Sequence, residues 1–164
     1  MFALSIEKVR SFFADAGIAD RIREFDESSA TVELAAQCLG VPGARIAKTL
    51  SFAAPDGCIL IVAAGDAKVD NHKFKEEFGR KASMLSHEAV AELTGHAVGG
   101  VCPFAVKSGV PVYLDVSLKR FQTVFPAAGS SNSAIELTLP ELEKYSHFVK
   151  WIDVCKAWQE NTDI

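Results

Sequence analysis

The chain has 164 residues, of which 49% are hydrophobic and 23% charged, and its formal net charge is −4 at pH 7. That length fits one domain with a real core, and that balance excludes an intrinsically disordered chain. The acidic balance also excludes a general nucleic-acid coat protein, since neutralising phosphates takes many surface cations; a protein that grips one end of an RNA stays open. Met1 to Glu7 lacks the basic start and sustained apolar stretch of a signal peptide. The longest apolar run, Cys58 to Ala64, is far shorter than the roughly 20 residues that span a bilayer. The chain is therefore read as soluble and cytosolic, with no membrane contact.

The first helix is predicted over Ser5 to Ala16, where Ile6, Val9 and Phe13 form one stripe and Gly17 is a natural stop. A short strand follows at Ile22 to Phe25. Thr31 caps a second helix that Gly40 ends, with Pro42 just beyond. Ile46–Ala53 and Cys58–Ala64 flank Pro55-Asp56-Gly57, a strong turn signal, and read as a hairpin. Helices are predicted at Asn71–Phe78 and at Ser86–Leu93, the second capped by Ser86 and stopped near Gly95. Val98 to Pro103 reads as a loop. Strands follow at Val112–Asp115, Thr123–Phe125 and Ala134–Leu137. Pro140 opens a short helix at its first position, and a terminal helix is predicted over Ile152–Trp158. Hairpins alternating with helices favour an α+β fold over a doubly wound parallel one.

The common catalytic signatures are missing: no GxSxG elbow, no phosphate loop, no GxGxxG and no HExxH. His72, His87, His96 and His147 are not spaced as a ligand set and read as structural or surface. Cys38, Cys58, Cys102 and Cys155 show no CxxC, which argues against zinc or a thioredoxin-type pair. No metal or cofactor is expected. The basic stretch from Lys68 through Lys73, Lys75, Arg80 and Lys81 is interrupted by Asp70, Glu76 and Glu77, and a solvated helix face accounts for it as well as a binding patch does.

Three segments carry possible chemistry. Alternation places Lys48 on one strand face with Ile46, Leu50 and Phe52. An ammonium there must find a partner or shed its proton, so it suits a ligand phosphate or a polarised carbonyl; snorkelling to water is the equal alternative. Gly99-Gly100-Val101-Cys102-Pro103 lets backbone approach a ligand, and successive N–H groups there can receive an oxyanion, although Gly-Gly pairs are usually plain turns. No histidine can be placed beside Cys102 from sequence, so it reads as pocket wall rather than nucleophile. The small, polar run from Ala127 to Ser133 is either a connecting loop or the edge of a small pocket.

These segments, in this order, resemble the YbaK/prolyl-tRNA-synthetase-associated editing-domain family. The likeness lies in Thr31 to Val41 and Ile46-Ala-Lys-Thr-Leu50, in Gly65 to Asp70, in Leu93-Thr-Gly-His-Ala-Val-Gly-Gly-Val-Cys-Pro103, and in Val110 to Asp115 with Ala128-Gly129 before Ile135. It covers roughly residues 4 to 145. The resemblance implies a single compact α+β domain over residues 1–164, with a mixed, mostly antiparallel, twisted and partly barrel-like sheet surrounded by helices. It implies metal-independent hydrolysis of mischarged aminoacyl-tRNA, with Lys48, Gly99 and Gly100 as catalytic residues. Thr31, Cys102, Pro103, Asp115, Ala128 and Gly129 are the implied substrate-binding residues. The implied partners are the 3′ aminoacyl end of a tRNA and, for some members, a synthetase. Some members carry a serine just before the Ala-Gly pair where this chain has Ala127, which leaves the substrate amino acid open. Two other readings compete: a non-catalytic module that binds aminoacyl-tRNA or a synthetase, and an esterase or thiol enzyme built on Cys102.

Overall fold

The computed structural model describes residues 5–96 and 99–159. Among the described residues there are five α-helices and ten strands, six of which form a mixed sheet that curls into a half-barrel. The strands are β1 (Arg23–Glu24), β2 (Ile46–Ala54), β3 (Gly57–Ala64), β4 (Lys68–Val69), β5 (Val112–Asp115), β6 (Thr123–Pro126), β7 (Ser133–Ala134), β8 (Leu137–Thr138), β9 (Trp151–Ile152) and β10 (Cys155–Lys156). The central sheet runs β8-β6-β2-β3-β5-β9.

Its spine is the expected hairpin. β2 and β3 pair antiparallel from Ala47↔Ala64 to Ala54↔Gly57, leaving Pro55-Asp56 as the two-residue turn. β3 is the apolar run Cys58–Ala64; each of these residues is buried, as a strand covered on both faces requires. β6 joins β2 in parallel, and β5 joins β3 in parallel. Two short antiparallel ladders, β1 with β7 and β4 with β10, tie the periphery together.

The helices are α1 (Ser5–Asp15), α2 (Val32–Leu39), α3 (Asn71–Phe78), α4 (His87–Thr94) and α5 (Leu139–Ser146). Their ends follow local chemistry. Thr31 accepts from the Leu34 N–H and Ser86 from the Ala89 N–H, while Gly40 and Gly95 close those helices in the left-handed conformation. α1 packs Val9 and Phe13 against Phe104 in the main core, and Phe74 of α3 packs against Phe52 of β2.

Three expectations are corrected. The predicted terminal helix over Ile152–Trp158 is two short strands, because Ile152 pairs with Asp115 and Cys155 with Val69. The predicted strand Ala134–Leu137 is broken into β7 and β8, which pair with different partners, β1 and β6. Pro140 is the second residue of α5, not the first; Thr138 and Glu141 form a capping box around its start.

Candidate active site

A cleft of about 440 Å³ opens where α2, β2, α4 and the glycine loop meet. Ala30, Thr31 and Val32 bring the start of α2 to it, and Ile46 to Ser51 of β2 form one wall. Met84, Leu85 and His87 form the lip at the start of α4, and Gly99, Val101, Phe125 and Ala127 also line the cleft. Lys48 and His87 are the ionisable side chains lining it among the described residues. No group of three or more His, Cys, Asp or Glu side chains among those residues is placed to hold a metal ion.

Lys48 is half-buried, and its ammonium donates to the carbonyl oxygen of Gly65 at 3.3 Å and to that of Ala67. Burial lowers its pKa below the usual lysine value, opposed by the nearby charges of Asp66 and Glu33. The turn after β3 thus holds the ammonium from behind. Two of its three donors are engaged among the described residues, and the third has no hydrogen-bond partner there.

The glycines of the loop owe their identity to packing. A Cβ on Gly100 would stand 2.7 Å from the backbone of Gly129 and Ser130. Gly129, at φ +97°, lies so close to Ser5 and Ile6 that a Cβ would meet their backbone at 2.7–2.9 Å. A Cβ on Gly99 would meet those of Ser131 and Ala30 at 3.2 and 3.4 Å. Three segments far apart in sequence therefore converge: 28–31, 99–101 and 129–132. Hydrogen bonds from Ser29 N to Ser131 O (2.6 Å) and from Phe25 N to Asn132 O (2.8 Å) hold two of them together.

Of the residues singled out in the sequence, Lys48, Thr31 and Gly99 line the cleft together, and Gly100 and Gly129 pack directly behind its wall. Cys102, Pro103, Asp115 and Ala128 lie in the interior and do not line it. Cys102 is fully enclosed, and burial pushes its thiol up to about 12. A histidine does stand beside it, His96 Nε2 at 3.6 Å, but no surface reaches the pair. Asp115 caps the turn after β5, accepting from the N–H groups of Ser117 (2.9 Å) and Val154 (3.0 Å). Its carboxylate is occupied by the fold. Residues that sequence reasoning passed over include Met84, His87, Phe125 and Thr49. Nothing in their local patterns marks them; the closure of the chain around β2 brings them to the cleft.

Fold and cleft together define a small mixed-sheet domain with a cleft at a strand edge. A model of the aminoacyl-tRNA editing domain matches residues 26–145, and the chain belongs to that family. It is similar to the uncharacterized protein YwhH of Bacillus subtilis (strain 168), with 57% identity over 157 residues, covering 95% of this chain and 100% of that protein. It is also similar to the proline--tRNA ligase of Bacillus licheniformis, with 25% identity over 158 residues, which span 93% of this chain and 27% of the ligase. Among solved structures, a "putative trans-editing enzyme for prolyl tRNA synthetase" superposes with a TM-score of 0.83 at 27% identity, covering 95% of this chain and 99% of that one. No helix among the described residues is long and apolar enough to cross a membrane.

Proposed function

We propose that this domain hydrolyses the ester bond of mischarged aminoacyl-tRNA in trans. The observation that carries the reading is the cleft itself. In an aminoacyl-tRNA editing domain, it brings Lys48, the capped start of α2 and Gly99 around a space suited to a small aminoacyl group. An aminoacyl ester is already activated, so positioning and charge stabilisation are the main requirements.

In this reading the free donor of Lys48 holds a terminal phosphate or the ester carbonyl, and the Gly99–Gly100 amides receive the oxyanion as water adds to that carbonyl. Collapse of the adduct expels the ribose oxygen, which takes up a proton and leaves free amino acid and tRNA. The vicinal ribose hydroxyl positions the attacking water. The walls formed by Ile46, Val32 and Phe125 select by size, and such a wall excludes larger side chains better than it rejects smaller ones.

The test is single-turnover deacylation of proline tRNA charged with alanine, cysteine, serine or threonine, with wild type and Lys48→Ala side by side. Release by wild type with a loss of about 10²–10³ in the variant is expected. An unchanged rate in the variant removes Lys48 from the mechanism. Tight binding with no release from any member makes the domain a binding module instead.

A further inference from the structure

We propose that Thr49 recognises the free α-ammonium group of the bound ester through its carbonyl and hydroxyl oxygens, at a break in the pairing of β2; the inference rests on the editing reading above. The inner edge of β2 is paired to β3 along its length. Among the described residues, its outer edge is paired in two separate stretches. β6 runs beside it at Ile46 and Ala47. Further on, Leu85 N donates to Ser51 O at 3.1 Å and Ala53 N donates to Ser83 O at 2.7 Å.

Backbone groups of alternate residues in a strand point to alternate edges. Since Ser51 and Ala53 bond outward, Thr49 faces outward too. It falls between the two paired stretches, and it lines the cleft. Its side chain repeats the pattern: Thr49 Oγ1 is buried and has no hydrogen-bond partner among the described residues. Buried polar groups are bonded in the great majority of cases, and an unbonded one calls for an explanation. The hydroxyl and the outward peptide groups thus belong to one residue, and that residue lines the cleft.

The wall around Thr49 offers neutral acceptor oxygens. No carboxylate lines the cleft among the described residues, so acceptor oxygens of carbonyl and hydroxyl groups are what a bound ammonium would meet. Ser51, two residues along and on the same face, adds a second hydroxyl to the lining. The bonds that the Lys48 ammonium makes go to Gly65 and Ala67 and leave the Thr49 oxygens unclaimed. The substrate class is therefore esters of amino acids with a free amino group, as opposed to N-blocked or peptidyl esters.

The experiment takes the panel member that wild type hydrolyses fastest, its α-hydroxy ester made by nitrous acid deamination, and its N-acetyl derivative. Each rate is expressed relative to the spontaneous hydrolysis of the same ester. Wild type should lose about 10- to 100-fold on both analogues, the size of one hydrogen bond to a charged group. Thr49→Val should lose a similar factor on the aminoacyl ester alone, and Thr49→Ser, which keeps the hydroxyl, should recover most of it. Equal relative rates on the amino and hydroxy esters overturn the assignment, as does a Thr49→Val loss that is the same on both. The wild-type comparison decides the matter even if Thr49→Val does not fold. If wild type releases nothing from any aminoacyl-tRNA, the editing reading falls and takes this inference with it, an outcome distinct from equal rates.

Discussion

His96 Nε2 lies 2.7 Å from the carbonyl oxygen of Phe104, closing the glycine-rich loop at its base. A carbonyl only accepts, so Nε2 carries the proton; Nδ1 of the neutral ring then accepts from the hydroxyl of Ser5 at the start of α1. The ring is fully buried, and desolvation lowers its pKa, as does the nearby Lys8 charge, while the Phe104 carbonyl opposes the shift. Cys102 is the other titratable group against it. Because the folded value is depressed, the unfolded chain binds the extra proton first. Stability from this site is complete above about pH 6.5 and is lost as pH falls from there toward the folded value, by at most about 1.4 kcal/mol per pH unit. Urea denaturation at pH 5 and 7.5 should show this slope in wild type, and His96→Gln should reduce it.

Gly100→Ala should damage both stability and deacylation. The new methyl meets backbone on the 129–130 segment, which cannot rotate away as a side chain would. Overpacking of this kind costs about 1–3 kcal/mol, and a shift of about 1 Å in the loop amides can cost about 10² in rate. Gly17→Ala is the comparison. It places a residue at φ +79° with nothing within 4 Å, far from the cleft. That variant should lower the melting temperature while its deacylation rate at 25 °C stays near wild type.

Asp115→Asn should destabilise by about 1–3 kcal/mol, because the amide offers one acceptor oxygen where the carboxylate serves two buried N–H groups. Its deacylation rate, measured well below the transition, should match wild type. A large fall in kcat at unchanged stability would return Asp115 to the substrate.

Cys102 should resist iodoacetamide in the native protein at pH 7.5, since an enclosed thiol with a pKa of about 12 is neutral and unreachable. Peptide mapping after alkylation should find Cys102 modified only when denaturant is present. Rapid native labelling accompanied by loss of deacylation would revive a thiol mechanism.

What could be read in the sequence was mostly what short stretches of chain decide for themselves. Thr31, Ser86 and Gly40 announce helix ends by their own chemistry, and Pro55-Asp56 announces the hairpin. The segment 152–158 is predicted as helix, but residues 151–152 and 155–156 become strand because β5 and β4 offer edges to them. The same division holds at the site. Lys48 stands out as a cation in an apolar strand, yet its partners are carbonyls 17 and 19 residues away. Cys102 and Asp115 looked exposed to a ligand because a motif match ranks neighbours in sequence and says nothing about which side faces inward. Thr49 stands inside a matched stretch, but nothing in the sequence marks its hydroxyl as unpartnered. Its distinction arises only where β6 leaves β2 and the 83–85 segment has yet to join it.

Beneath the cleft, Ala35, Ile46 and Phe125 form a small apolar cluster, joined by Val32, Ala36, Leu39 and Val41, that is separate from the main core. Four of these seven, Val32, Ala35, Ile46 and Phe125, also line the cleft. Resizing one of them changes the room offered to a guest, while the packing of Leu60, Ile61 and Leu114 in the other core is left alone. Under the proposed function, the room offered to a guest and the packing of the main core are thus set by different residues. A library built to redirect this domain should begin at Val32 and Ala35.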